Sequence, residues 1–390
     1  MMGTSFGETL RSVRNSRQLS LKTLSRLVYF SPAFIGHVET GLRKPTPEFA
    51  EAVDKALSTS GLFTELARLG DDDEVYRRTL IKALGTLSTV GAIAPSAVAE
   101  TLRHSLDRAA SLAPNADDWE DIVATYGRGF MTEPLSDLSQ RAVADLLVLS
   151  ADPQLRGRHG ARLAMVYGSS VASLGDTVTA KRWYSTAVKL ADHSGEIELR
   201  AWSRARLAYR IFYEGGDDAE VLSSTELPIA FGRSSAAVIE AHAARAHVYA
   251  GRGDARLANE ALGLAYRALE LAHEQDGNSI FAMPGWRLAI AASWAYTALG
   301  DSTKAEAIQA EAERLPAAAS RWRAQLDMHR AWAAVQAKDV DEGVTQASQL
   351  VNTEHSRVIK GLGQRVYQAV PIKERKRETV RELADALKGR

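Results

Sequence analysis

Five turn signals punctuate the second half of this chain: Leu174-Gly175-Asp176, Gly215-Gly216-Asp217, Arg252-Gly253-Asp254, Leu299-Gly300-Asp301 and Ala337-Lys338-Asp339. Taken at positions 175, 216, 253, 300 and 338, they lie 41, 37, 47 and 38 residues apart. Each stands between two apolar stretches in which Ala and Leu recur every three or four residues, the period of a helix with one buried side. Alternating runs of β-branched residues, the mark of strands, are missing between the turns. Such punctuation restricts the chain to stacked helix pairs, because one pair cannot hide its own apolar face. Ala180, Ala258, Ala305 and Gly343 follow their turns by five, where two crossing helices need a small side chain; the second turn has no clean small residue there. The expected fold class is all-α.

The N-terminal region carries a different pattern. Ser20 to Pro45, SLKTLSRLVYFSPAFIGHVETGLRKP, reads as two short helices joined by a tight turn. Ser20 is an N-cap ahead of Leu21, and Ser31 is another, with Pro32 at the first helical position. Leu24, Val28, Ile35 and Val38 fall where crossing helices each bury one face, with Phe30 plugging the turn and Ser25 small at the crossing. Gly41 suits a left-handed residue that ends the second helix. Thr46 and Pro47 open a fourth helix with Phe49, Val53 and Leu57 on one side, and a short fifth helix follows Gly61.

Caps, apolar spacing and the Glu39-x-Gly41-x-Arg43-x-Pro45 exit together resemble the lambda-repressor-like, or Xre-type, helix-turn-helix family over Phe6 to Leu69. The resemblance implies a five-helix DNA-binding domain in which Pro32–Thr40 is the recognition helix. It places Ser31, Pro32, Ala33, Phe34, Gly36 and His37 toward the major groove of double-stranded DNA. It places Arg43, Lys44, Lys22 and the helix end at Ser20 on the phosphates. It also implies a partly buried pair between Arg14 and Glu39. Two positions depart from the family: Tyr29 stands where Gly is usual, which requires a bulky residue at positive φ or a different turn, and Leu21 stands where a phosphate-binding Gln is common. Of the groove-facing residues only His37 can exchange a hydrogen bond with a base edge, so phosphate contacts and DNA shape are expected to dominate over direct readout.

The formal net charge is zero, but its distribution is uneven. From Met1 to Pro45 seven cations (Arg11, Arg14, Arg17, Lys22, Arg26, Arg43, Lys44) face two acids, a local +5. There is no cysteine, which removes disulfides, thiol catalysis and thiolate metal sites and fits a cytoplasmic protein. The first residues are polar and run straight into the first helix, without a signal segment. Arg77-Arg78-Thr79-Leu80-Ile81-Lys82 and the apolar run to Pro95 have the form of a twin-arginine signal. Lys82 interrupts the run and a folded domain precedes it, so it reads as a buried linking helix, and no membrane contact is expected. No phosphate-binding loop, dinucleotide fingerprint or zincin helix is present, and the nine histidines are scattered. No enzymatic activity, metal or cofactor is expected.

The helix pairs from Gly160 to Thr353 resemble tetratricopeptide repeats, with a longer period. The segment from Asp117-Asp118-Trp119 to Leu149 resembles the linker of actinobacterial Xre-type regulators that carry such arrays. The resulting layout is a helix-turn-helix domain at 1–70, a helical linker at 71–159, repeats at 160–370 and a capping helix at 371–390. That last helix would bury Ile372, Val380, Leu383 and Leu387. Counting back from the turns, the inner groove of an array would present Ser169, Arg210, His247, Trp294 and Trp332, beside Arg162, Arg206, Tyr213, Arg287 and Met328. Arg206, Arg210, Tyr213, His247, Arg287, Trp294 and Trp332 are therefore the candidate set for an anionic, peptide-like or small-molecule effector; core packing is the alternative for the tryptophans. The reading is a transcriptional regulator, most simply a homodimer, with a protein-interaction scaffold as the alternative.

Overall fold

In a computed structural model, residues 6–16, 19–57, 63–64, 67, 116–151, 153–231, 233–272, 277–313, 316, 320–354 and 356–388 are described. The boundary expected between 70 and 71, the twin-arginine-like segment at 77–95 and most of the fifth helix lie outside them. The fold class is all-α. Contacts divide the chain into two compact units, 1–117 with 140–156 and 118–139 with 157–390.

The first unit begins with α1 (Phe6–Ser16), α2 (Leu21–Val28), α3 (Pro32–Glu39) and α4 (Pro47–Leu57). Leu24, Val28, Ile35 and Val38 are buried as their spacing requires, against Phe6, Leu10, Phe49, Val53 and Leu57. The core is aromatic: Phe6 meets Phe63 edge-on at 5.2 Å, and Phe30 and Phe34 each meet Phe49 at 5.0 Å. Gly7 is where α1 and α3 touch; a Cβ there would lie 2.0 Å from the Val38 carbonyl oxygen. Asp54 near the end of α4 accepts the amides of Phe63 and Thr64 at 2.8 and 2.7 Å, capping the segment that follows.

Three helices come next: α5 (Ala116–Thr132), α6 (Leu135–Ala151) and α7 (Pro153–Ser173). The second unit continues with α8 (Thr177–Ser194), α9 (Ile197–Tyr213), α10 (Asp218–Ser224), α11 (Glu226–Phe231), α12 (Ala236–Gly251) and α13 (Ala255–Leu271). It closes with α14 (Gly285–Leu299), α15 (Ser302–Ala312), α16 (Ser320–Gln336), α17 (Val340–Thr353), α18 (Arg357–Ala369) and α19 (Glu378–Lys388). The first helices of successive pairs pack on one another, α9 on α12, α12 on α14, α14 on α16 and α16 on α18, while α12 also packs on α13, α14 on α15 and α16 on α17.

All five sequence turns adopt one geometry. Gly175, Gly215, Gly253, Gly300 and Lys338 have φ between 71° and 107°. In each, the amide of the left-handed residue and the one after it return to carbonyls of the preceding helix, as in Asp254 N to Tyr249 O at 2.9 Å and Gly253 N to Ala250 O at 3.0 Å. The aspartates then cap the next helix: Asp176, Asp217, Asp254 and Asp301 accept amides at 2.9 to 3.2 Å, while Asp339 makes no such side-chain bond. The second turn is centred on Gly215, one residue before the expected Gly216. Its following helix also breaks into α10 and α11, where Pro228 has no N–H to donate to the Ser224 carbonyl.

The C-terminal helix starts at Glu378, not at Pro371. Ile372–Glu374 forms a short 3-10 turn, and Ile372 is 81% exposed, while Val380 and Leu383 are buried. Asp341 of α17 holds the start of α19, 2.5 Å from Arg377 and 2.9 Å from Thr379. No helix among the described residues is long and apolar enough to cross a membrane.

Candidate functional site

The α2–α3 pair is fixed at both ends and at its turn. Ser20 Oγ accepts the Thr23 amide at 3.0 Å, and Ser31 Oγ accepts the Phe34 amide at 3.1 Å. Tyr29 adopts φ 58°, ψ 28°, so a bulky residue occupies the left-handed position, with its ring 92% exposed. Ser25 Oγ donates to the Phe30 carbonyl at 2.7 Å across the turn. Arg14 of α1 forks onto Glu39 of α3, Nε to Oε1 at 2.6 Å and Nη2 to Oε2 at 2.9 Å, and its Nη1 donates to the Leu19 carbonyl at 2.7 Å. The hydrogen bond to Glu39 holds the Arg14 pKa above its ordinary value. One bidentate pair thus ties α1, the approach to α2 and the end of α3 together.

This frame leaves the first turn of α3 open. Ser20, Lys22, Ser31, Pro32, Ala33, His37, Arg43 and Lys44 are exposed, and Gly36 is half-buried. Phe34 differs from its neighbours: it is half-buried, packed on Phe30 and Phe49, and the Arg43 guanidinium lies 4.9 Å above its ring. The left-handed Gly41 and the bond from Arg43 N to His37 O fold the chain back to put it there. An exposed helix N-terminus beside cations suits an anionic backbone.

Residues 5–67 match the family described as a helix-turn-helix domain. The N-terminal region is a helix-turn-helix domain. No curated protein and no solved structure matches the chain. In this helix-turn-helix domain the match spans every candidate DNA-contact residue, from Ser20 to Lys44. Gly7, whose contact sets the approach of α1 to α3, escaped the sequence reading; its signal was a glycine inside a helical pattern.

The second candidate set separates in the helical body. His247, Trp294 and Trp332 lie in the core: the His247 ring stacks on Phe212 at 4.7 Å and faces Trp294 at 5.0 Å, with Trp332 6.0 Å beyond. The Arg365 guanidinium covers both indoles, at 5.0 and 5.9 Å. Burial drives His247 down to about 3, and His329, beside Ser293, likewise to about 3. The other four, Arg206, Arg210, Tyr213 and Arg287, line one cavity of about 270 Å³. Arg210 Nη2 sits 3.0 Å from Glu214, which also accepts the Tyr184 hydroxyl at 2.7 Å. Arg206 and Arg287 share buried Glu240, at 2.5 and 3.7 Å. Burial lowers Arg206 to about 10 and raises Glu240, each against the pull of the other. Arg321 and Trp322, which the turn-counting did not reach, complete the cavity wall.

Proposed function

We propose that this protein is a sequence-specific DNA-binding transcriptional regulator of the Xre type. It acts in the cytoplasm as a homodimer, and its tetratricopeptide-like body senses an effector or partner. It carries out no catalysis of its own. The observation that carries the reading is the exposed, serine-capped start of α3, held by the Arg14–Glu39 fork and flanked by Arg43 and Lys44. A helix so presented enters the major groove with its N-terminal residues toward the base edges. His37 is the polar reader and Ala33 and Pro32 touch thymine methyls; Phe34 supports the helix from behind. With so little direct readout, specificity draws on phosphate geometry and DNA shape.

One small domain covers limited DNA, so two copies on half-sites about 34 Å apart are expected. Ligand bound in the body would alter how successive helix pairs stack, and with it the spacing of the two recognition helices. The test is operator binding by the full chain carrying Arg43→Ala and Lys44→Ala together. Affinity should fall on all duplexes, and, with two cations lost from each of two copies, the slope of log K against log salt should become shallower by about 3 to 4. Unchanged affinity and slope would leave the scaffold reading in its place.

A further inference from the structure

The 270 Å³ cavity in the helical body has four arginines in its wall, Arg206, Arg210, Arg287 and Arg321. Among the described residues, three carboxylates stand against them. Glu214 serves Arg210, Glu240 is shared by Arg206 and Arg287, and Glu354 lies in the wall with Arg321. Arg321 spends its guanidinium on two neutral acceptors, the carbonyls of Phe130 and Glu133. Four cations against three anions leave one positive charge over. A guanidinium cannot shed its proton to relieve this.

The donors tell the same story as the charges. The Nε groups of Arg206 and Arg287 are closed off from solvent without a hydrogen-bond partner. Both arginines are at least 98% buried. Even Glu240 meets its guanidiniums only as an ion pair, its oxygens making no well-aligned hydrogen bond. An unmatched buried charge is costly, and a bound anion offsets it.

Shape and lining narrow the anion. A volume of about 270 Å³ lies just below the range of about 300–1,000 Å³ typical of drug-sized ligands. That favours a small molecule over a peptide of several residues. The same wall carries Trp322, under the Arg287 guanidinium at 5.7 Å, with Val358 and Ile359, which favours an apolar or flat body. A single surplus charge is balanced by a monoanion and overshot by a phosphate dianion.

We propose that this cavity binds a compact organic monoanion, a carboxylate carried on an aromatic or apolar body. Its role as the effector of DNA binding rests on the regulator reading above; the site itself does not.

The experiment follows thermal unfolding of the full chain by tryptophan fluorescence, with benzoate, its neutral counterpart benzamide and inorganic phosphate as probes. Benzoate should raise the unfolding temperature saturably by about 5 °C, with little or no shift from benzamide or phosphate. Glu240→Gln removes a competing carboxylate and should tighten benzoate about tenfold, a gain that a purely structural cluster would not produce. Should that variant fail to fold, Arg321→Gln, at the partly exposed side of the cavity, carries the test by weakening benzoate about tenfold. Equal shifts with benzoate and benzamide, phosphate alone binding, or no shift with any probe would overturn the proposal. Operator affinity measured in the same samples scores the regulator reading separately. Benzoate binding without any change in DNA affinity would keep the site and remove the effector role.

Discussion

The core of the helix-turn-helix unit is aromatic, with the Arg14–Glu39 pair and Asp54 as its buried charges, whereas the helical body has an alanine-rich core threaded with arginines, glutamates and histidines. Phe6, Phe30, Phe34, Phe49 and Phe63 fill the first, with Arg14 and Glu39 at its edge. The second buries Arg206, Glu240, His247, Arg287 and His329. A small domain that must present one rigid helix gains from close ring packing and a bidentate fork. A long stack of helix pairs has small side chains at its crossings, such as Ala180, Ala258, Ala305 and Gly343, and between them polar groups and cavities are enclosed.

Acid should separate the two units most strongly. His247 and His329 are held near 3 when folded, against about 6.5 when unfolded, so the unfolded chain takes up protons first. Their contribution is complete well above pH 6.5 and shrinks as pH falls toward 3; lowering pH from 6.5 to 5 should remove about 3 kcal/mol from the helical body. All seven tryptophans lie between Trp119 and Trp332, so their fluorescence reports that unit alone, while exchange of the α3 amides reports the other. Parallel loss in both units would erase the contrast.

The next effect reverses the direction. Glu39→Ala leaves the Arg14 guanidinium buried without its counter-charge, and should cost the helix-turn-helix unit about 3 kcal/mol, seen as faster α1 and α3 exchange. The tryptophan signal should not move; if it does, the two cores are coupled. Smallest are the two non-glycine residues in left-handed conformation among the described residues, one in each unit. Tyr29→Gly and Lys338→Gly should each stabilise their own unit by about 1 kcal/mol, read by the same two probes. A loss at Tyr29→Gly would mean that the exposed ring contributes to stability in a way its backbone strain conceals.

Much of the local structure was legible. The caps at Ser20 and Ser31, the left-handed Tyr29, the Arg14–Glu39 pair and the five Gly-Asp or Lys-Asp turns all depend on neighbours a few residues away, or on a family pattern that includes both partners. The placement of the effector candidates was less so. Counting back from a turn reached Arg206, Arg210, Tyr213 and Arg287 at the cavity, yet the same count gave His247, Trp294 and Trp332, which lie in the core under Arg365. A one-residue offset at Gly215 and the break at Pro228 show why: helix phase drifts between pairs of unequal length, so equal counts do not reach equal faces.

The sequence by itself determined that this chain is helical, where its turns fall, and that its N-terminal segment is a helix-turn-helix, because capping, periodicity and left-handed turn residues act over a few bonds. Only the tertiary structure decided which charges share a carboxylate. The Arg206–Glu240–Arg287 cluster joins residues up to eighty-one positions apart from three different helices, and the surplus charge it leaves arises from their meeting in space.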